Sequence, residues 1–140
     1  MTLPALDRGL AKSGRSREDF EIAYTPFIIS GKDEETFEKE KAGIKGRISF
    51  YGSTPAYKNV LGVHGWGEMQ IELNKMSKEG KWAEMSELVT DDMLNVFGVM
   101  GEPDSIVAEI KSRYGDIVDR TSGGFGFVDN EKRQEMIAEL

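Results

Sequence analysis

At 140 residues, 39% hydrophobic and 31% charged, the chain has the size and composition of one globular, soluble domain rather than a disordered tail. Its net charge of −7 argues against nucleic acid or an anionic membrane as a partner. It has no cysteine, which excludes disulfides, a thiolate nucleophile and zinc–thiolate centres, and one histidine, His64, which excludes a His-rich metal cluster.

The opening stretch through Ser16 lacks the apolar core of a secretory leader, and no apolar run approaches the roughly 20 residues that span a bilayer. A cytoplasmic location is expected. Leu3, Leu6 and Leu10 share one face of a short helix. Phe20–Ser30 is the longest strand candidate: Phe20, Ile22 and Tyr24 alternate, then Phe27-Ile28-Ile29 is continuously apolar, as in a strand covered on both faces. Pro26 lacks a ladder donor and marks a bulge or an edge position there. Asp33 is a suitable N-cap for a long helix over Asp33–Phe50 with Phe37, Ile44 and Ile48 inward. Gly43 and Gly46 weaken that helix by about 1 kcal/mol each, which points to a close packing neighbour.

Tyr51–Gly67 is a long loop or broken helix rich in glycine, aromatic and hydroxyl residues, and loops of this length tend to cover or carry a site. Helices follow over Gly67–Glu79, around Trp82, Met85 and Val89, and after the cap Thr90. Trp82, Phe97 and the methionines read as core. Val96–Met100 is a short apolar run, Pro103 and Asp104 open a helix, and Ile106, Val107, Ile110 and Tyr114 make its inner face. Gly115 ends it and Ile117-Val118 starts another apolar run. Strand, helix, strand is a βαβ unit, and its ligands belong at the C-terminal strand ends, near Gly101 and Thr121-Ser122. Gly123–Gly126 is a flexible connector, without the Lys-Ser/Thr that a P-loop requires, and Asn130 caps a closing helix.

The run Phe50–Trp66, FYGSTPAYKNVLGVHGW, and the helical stretch after it resemble the luciferase-like monooxygenase superfamily, in its branch of deazaflavin (coenzyme F420)-dependent oxidoreductases. The resemblance is carried by Phe50–Tyr57, His64–Trp66, Gly101–Asp104 and Tyr114–Arg120, and spans Leu3 to Ser122. Glu102 departs from it, standing where Thr or Ser is usual, and is a poorer N-cap. The resemblance implies a (β/α)8 barrel of about 250 residues. The expected fold is therefore α/β: residues 1–140 as one partial barrel domain, its C-terminal portion, with about three parallel strands and several helices.

The implied function is oxidation or reduction of a small organic substrate with coenzyme F420 or FMN, most of whose pocket is expected outside this chain. The implied partner is a missing N-terminal half-barrel or a homo-oligomer, and the chain alone is expected to be inactive. The other reading is a non-enzymatic half-barrel that oligomerises through its open sheet edge. Candidate substrate- or cofactor-side residues are His64 beside Trp66, for orientation or proton transfer, and the hydroxyl-bearing Tyr51, Ser53 and Tyr57. Ser53 and Thr54 read equally as caps of the next helix. Arg120 and Thr121 are candidates as a barrel rim. Catalytic residues stay unassigned, and no metal site is expected.

Overall fold

The computed structural model describes residues 2–122 and 124–140. Its elements run α1 (Thr2–Ser13), β1 (Phe27–Ile29), α2 (Glu34–Gly52), α3 (Lys58–Gly62), α4 (Met69–Lys78), α5 (Trp82–Glu87), α6 (Asp91–Phe97), β2 (Gly98–Met100), α7 (Pro103–Tyr114) and α8 (Asn130–Glu139). The two strands pair in parallel, Phe27 opposite Gly98 and Ile29 opposite Met100. The fold is thus α/β with a small parallel sheet.

Both strand candidates flanking the helices shrink, for local reasons. Pro26 is buried immediately before β1 and has no N–H to donate, so regular pairing starts only at Phe27. Phe20–Thr25 keeps one isolated parallel bridge, Ala23 with Arg120. Ile117-Val118 is not a strand. Both amides donate to the Tyr114 carbonyl, Ile117 at 2.9 Å and Val118 at 2.8 Å, and so continue the end of α7 as turns. Gly115 does not turn the chain left-handed there. Its φ is −58°, and its missing Cβ matters because one would sit 2.6 Å from the Lys111 carbonyl oxygen. Extended backbone resumes only near Arg120, so the third parallel strand is reduced to that one bridge.

Backbone direction fixes where this third segment lies. Ile22 accepts from Arg120 and Tyr24 donates to it, whereas Ile29 accepts from Gly101 at 3.1 Å at the end of β2. Successive residues of an extended chain present their backbone groups to opposite edges. The even-numbered residues therefore face the Arg120 segment and the odd-numbered ones face β2, which puts β1 in the middle.

The side chains alternate likewise. Ile28 and Val99 point to one face, where Ile106, Val107 and Ile110 of α7 pack with Phe125, Phe127, Val128 and Met136. Ile29 points to the other, where Ile44 and Ile48 of α2 pack with Leu61, Val89, Met93 and Leu94. Helices thus cover both faces of the sheet. Neighbouring strands of a (β/α)8 barrel carry all their helices on one face, so the expected barrel segment is met in its parallel pairing but not in its layering. The arrangement has the logic of a doubly wound sheet, in which the chain reverses direction across β1.

Several local expectations hold. The Asp33 side chain accepts from the Thr36 amide at 2.8 Å to cap α2, and Thr90 caps α6. Others change. Asp129, not Asn130, caps α8, accepting from the Lys132 amide at 2.9 Å. Phe125 is no part of a flexible connector: it is fully buried, edge-on to Phe127. Gly123 lies outside the described residues. Nothing stands within 4 Å of where a Cβ would be on Gly43 or Gly46, so no packing neighbour explains these glycines. Trp82 is not core but exposed, while Met85, Met93 and Met136 are buried. Among the described residues no helix is long and apolar enough to cross a membrane.

Candidate functional site

The aromatic loop folds as a broken helix. After α2, Pro55–Tyr57 forms a 3-10 turn with Pro55 in its first turn, and α3 follows directly. Ser53 is buried and caps the preceding helix rather than the next one. Its hydroxyl donates to the Phe50 carbonyl at 2.7 Å, and its own carbonyl accepts from Gln70 at 3.2 Å and Asn74 at 2.9 Å. That leaves the Ser53 hydroxyl engaged within the backbone. Thr54 occupies the N-cap position of the 3-10 turn without a side-chain bond.

His64 stacks on Trp66 with ring centroids 5.3 Å apart, and both rings meet Phe97 at 5.6 and 5.8 Å. Tyr51 and Tyr57 lie 5.7 Å apart on the wall of a cavity of about 250 Å³ that also touches Phe27 and Phe97. These residues share one end of the sheet. Phe27 begins β1, and Phe97 immediately precedes β2. The whole constellation therefore sits at the amino-terminal ends of the strands. In parallel α/β folds that end carries stability, whereas ligands bind at the carboxyl ends.

Arg120 and Thr121 are also at the starting end, because the third segment begins rather than finishes there, level with Ala23. Arg120 is exposed and ion-paired with Glu21. Thr121 Oγ1 is buried without a partner beside a recess of about 90 Å³ that Tyr24 and Tyr114 also line. Burial, and then the adjacent Tyr114, push the Tyr24 phenol up to about 12. A phenol held that far above neutrality is not a base.

At the carboxyl ends three helices begin around one open cleft of about 910 Å³. It is lined by Lys32, Asp33, Glu35, Thr36, Lys39 and Glu40 from the start of α2, by Pro103 and Asp104 from α7, and by Gly126–Asp129 and Lys132 at α8. Its three lysines face five carboxylates, so the side chains give the cleft no positive excess. Lys132 is held by Asp104, and the Asp33 carboxyl stays below its usual range because Thr36 donates to it. Neither Lys32 nor Lys39 forms an ion pair among the described residues. Ser30, the residue after β1, is fully buried with its hydroxyl unpartnered. Gly31 is pressed against α2, where a Cβ would stand 2.3 Å from the Phe37 nitrogen. The sequence points to Gly101 at this end but not to Ser30, Gly31 or the lysines; Ser30, Gly31 and Lys32 follow a strand and precede a helix, whereas Lys39 and Lys132 lie within helices. Among the described residues no group of three or more His, Cys, Asp or Glu is placed to hold a metal ion.

Comparison with known families matches residues 1–120 to luciferase-like monooxygenases, and the chain belongs to that family. Among its relatives, an uncharacterized protein of Mycobacterium tuberculosis is 42% identical over 120 residues, which is 86% of this chain and 35% of the relative. A 5,10-methylenetetrahydromethanopterin reductase of Archaeoglobus fulgidus is 32% identical over 111 residues, 75% of this chain and 32% of the relative. A putative coenzyme F420-dependent oxidoreductase of Mycobacterium tuberculosis is 28% identical over 109 residues, 72% of this chain and 30% of the relative. The chain spans about a third of the length of the curated relatives it matches.

Proposed function

We propose that this chain serves a luciferase-like, deazaflavin-dependent oxidoreductase acting on a small organic substrate, as the C-terminal part of a (β/α)8 barrel. One observation carries the reading: residues 1–120 match luciferase-like monooxygenases, and the carboxyl ends of β1 and β2, where such folds bind ligands, open onto a cleft at three helix starts. Coenzyme F420, named for one relative, and FMN both carry a phosphate, and the lining that this chain supplies, with five carboxylates beside three lysines, does not by itself fit one. When bound, such a cofactor supplies hydride transfer.

The rest of the pocket, and the substrate side, would come from the remaining length that the relatives have and this chain lacks. We therefore expect the chain alone to give no turnover with reduced deazaflavin and a panel of small carbonyl and imine acceptors, followed by cofactor absorbance. Robust turnover by the chain alone would refute the division of labour.

The second reading, a module that oligomerises through an open sheet edge, meets an obstacle. Arg113 donates to the Gly98 carbonyl at 2.6 Å and to the Asn95 carbonyl at 2.8 Å, which places a guanidinium on the outer edge of β2. A charged side chain at an edge is a common block to strand addition.

A further inference from the structure

We propose that the phosphate of a bound cofactor is held outside this chain, by the remaining length that the relatives have, and that the cleft at the carboxyl strand ends meets an uncharged part of the cofactor, an assignment that rests on the proposed function. A helix start attracts an anion through its free amides and its dipole. Here each of the three starts is closed by this chain's own residues. At α2 the Asp33 carboxylate accepts from the Thr36 amide at 2.8 Å, and Glu34 and Glu35 stand in the first turn. At α8 Asp129 accepts from the Lys132 amide at 2.9 Å, with Glu131 in the first turn. At α7 Pro103 has no N–H, the Ser105 amide donates to the Glu102 carbonyl at 2.9 Å, and Asp104 occupies the first turn. The positive end of each dipole is thus already met by a carboxylate, and a phosphate there would lie against like charge.

The cations of the cleft do not reverse this. Lys132 is tied to Asp104 at 2.5 Å and to Glu135 at 3.5 Å. Lys39 stands one helical turn after Glu35 and beside Glu40, both on the cleft wall. Lys32 is next to Asp33. Among the described residues no arginine lines the cleft, so the bidentate clamp that suits a phosphate is not formed there. The arginines of the helices around it are committed to backbone, Arg113 to the Gly98 and Asn95 carbonyls and Arg133 to the Phe125 carbonyl at 3.0 Å. A neutral heteroaromatic edge meets no such repulsion.

The test is titration of the full chain with inorganic phosphate at constant ionic strength, followed by amide chemical shifts. The expected result is no saturable shift at Thr36, Ser105 or Lys132 up to about 50 mM. Glu35→Gln, Glu40→Gln and Asp104→Asn together remove three carboxylates from the cleft and leave both capping aspartates in place. That variant should give saturable shifts at the same amides and bind phosphate at least about tenfold more tightly than the native chain. Saturable shifts at these amides in the native chain overturn the proposal. So does a variant that binds phosphate no better than the native chain. The proposed function fails separately, if oxidised deazaflavin cofactor moves none of the cleft amides while phosphate behaves as expected.

Discussion

Replacing Gly31 by alanine tests how tightly the carboxyl end of β1 is joined to α2. An added Cβ would lie 2.3 Å from the Phe37 nitrogen, 2.7 Å from its Cα and 2.8 Å from the Thr36 carbonyl carbon, all of them backbone atoms. Ordinary contact begins at 3.4 Å, so the two segments must part by about 1.1 Å. Flexible side chains cannot absorb this, because none is the obstacle. Parting them pulls on the bond from the Thr36 amide to Asp33 (2.8 Å) and on that from the Phe37 amide to the Asp33 carbonyl (2.9 Å). Overpacking of this kind costs about 1–3 kcal/mol, and loss of an N-cap costs about 1 kcal/mol more. The expected loss is about 2–4 kcal/mol, a large share of the 5–15 kcal/mol typical of a domain. Urea unfolding followed by circular dichroism measures it, with the midpoint falling at unchanged slope. A change below about 0.5 kcal/mol would mean that the turn yields freely, and the reasoning about this end of the sheet would fail.

Gly43→Ala, by contrast, meets nothing within 4 Å in the interior of α2 and should stabilise by up to about 1 kcal/mol in the same assay. Arg113→Met removes two charge-assisted bonds to the Gly98 and Asn95 carbonyls at a half-buried site; the expected cost is about 1–2 kcal/mol, with faster aggregation as the β2 edge opens. Asp119 accepts from the Ile22 amide at 2.7 Å and from Arg17 at 2.6 Å, and these bonds hold its carboxyl below the usual range. Its stabilising contribution is therefore present above the ordinary carboxyl value near 4 and is lost as pH falls through the lower folded value. The Ile22 amide resonance should follow that acid titration, and Asp119→Asn should abolish it.

Helices were legible because their cause is local. Ile106, Val107 and Ile110 recur at helical spacing and are all buried on one face of α7, and Asp33 and Thr90 cap where their types suggest. Strand extent was not, because apolar character does not report hydrogen bonding. Ile117 and Val118 look like a strand but spend their amides on Tyr114, and Phe20–Thr25 alternates yet is cut off by Pro26. Where the aromatic loop lies on the sheet was not legible either. The Tyr51–Trp66 loop is rich in chemistry-bearing side chains, but nothing in its composition tells which end of a sheet it reaches. That depends on the length of α2, which runs from the carboxyl end of β1 back past its start. The exposure of Trp82 was hidden for the same reason: it depends on what packs nearby, not on residue type.

The proposed function puts the cofactor contacts of this chain at the carboxyl ends of β1 and β2 and not at the aromatic loop. Amide chemical-shift mapping of the full chain during titration with oxidised deazaflavin cofactor tests it directly. The account predicts shifts at Ser30–Thr36, Gly101–Ser105 and Asp129–Lys132, with His64 and Trp66 unmoved. Shifts concentrated at Tyr51, Tyr57, His64 and Trp66 would contradict it.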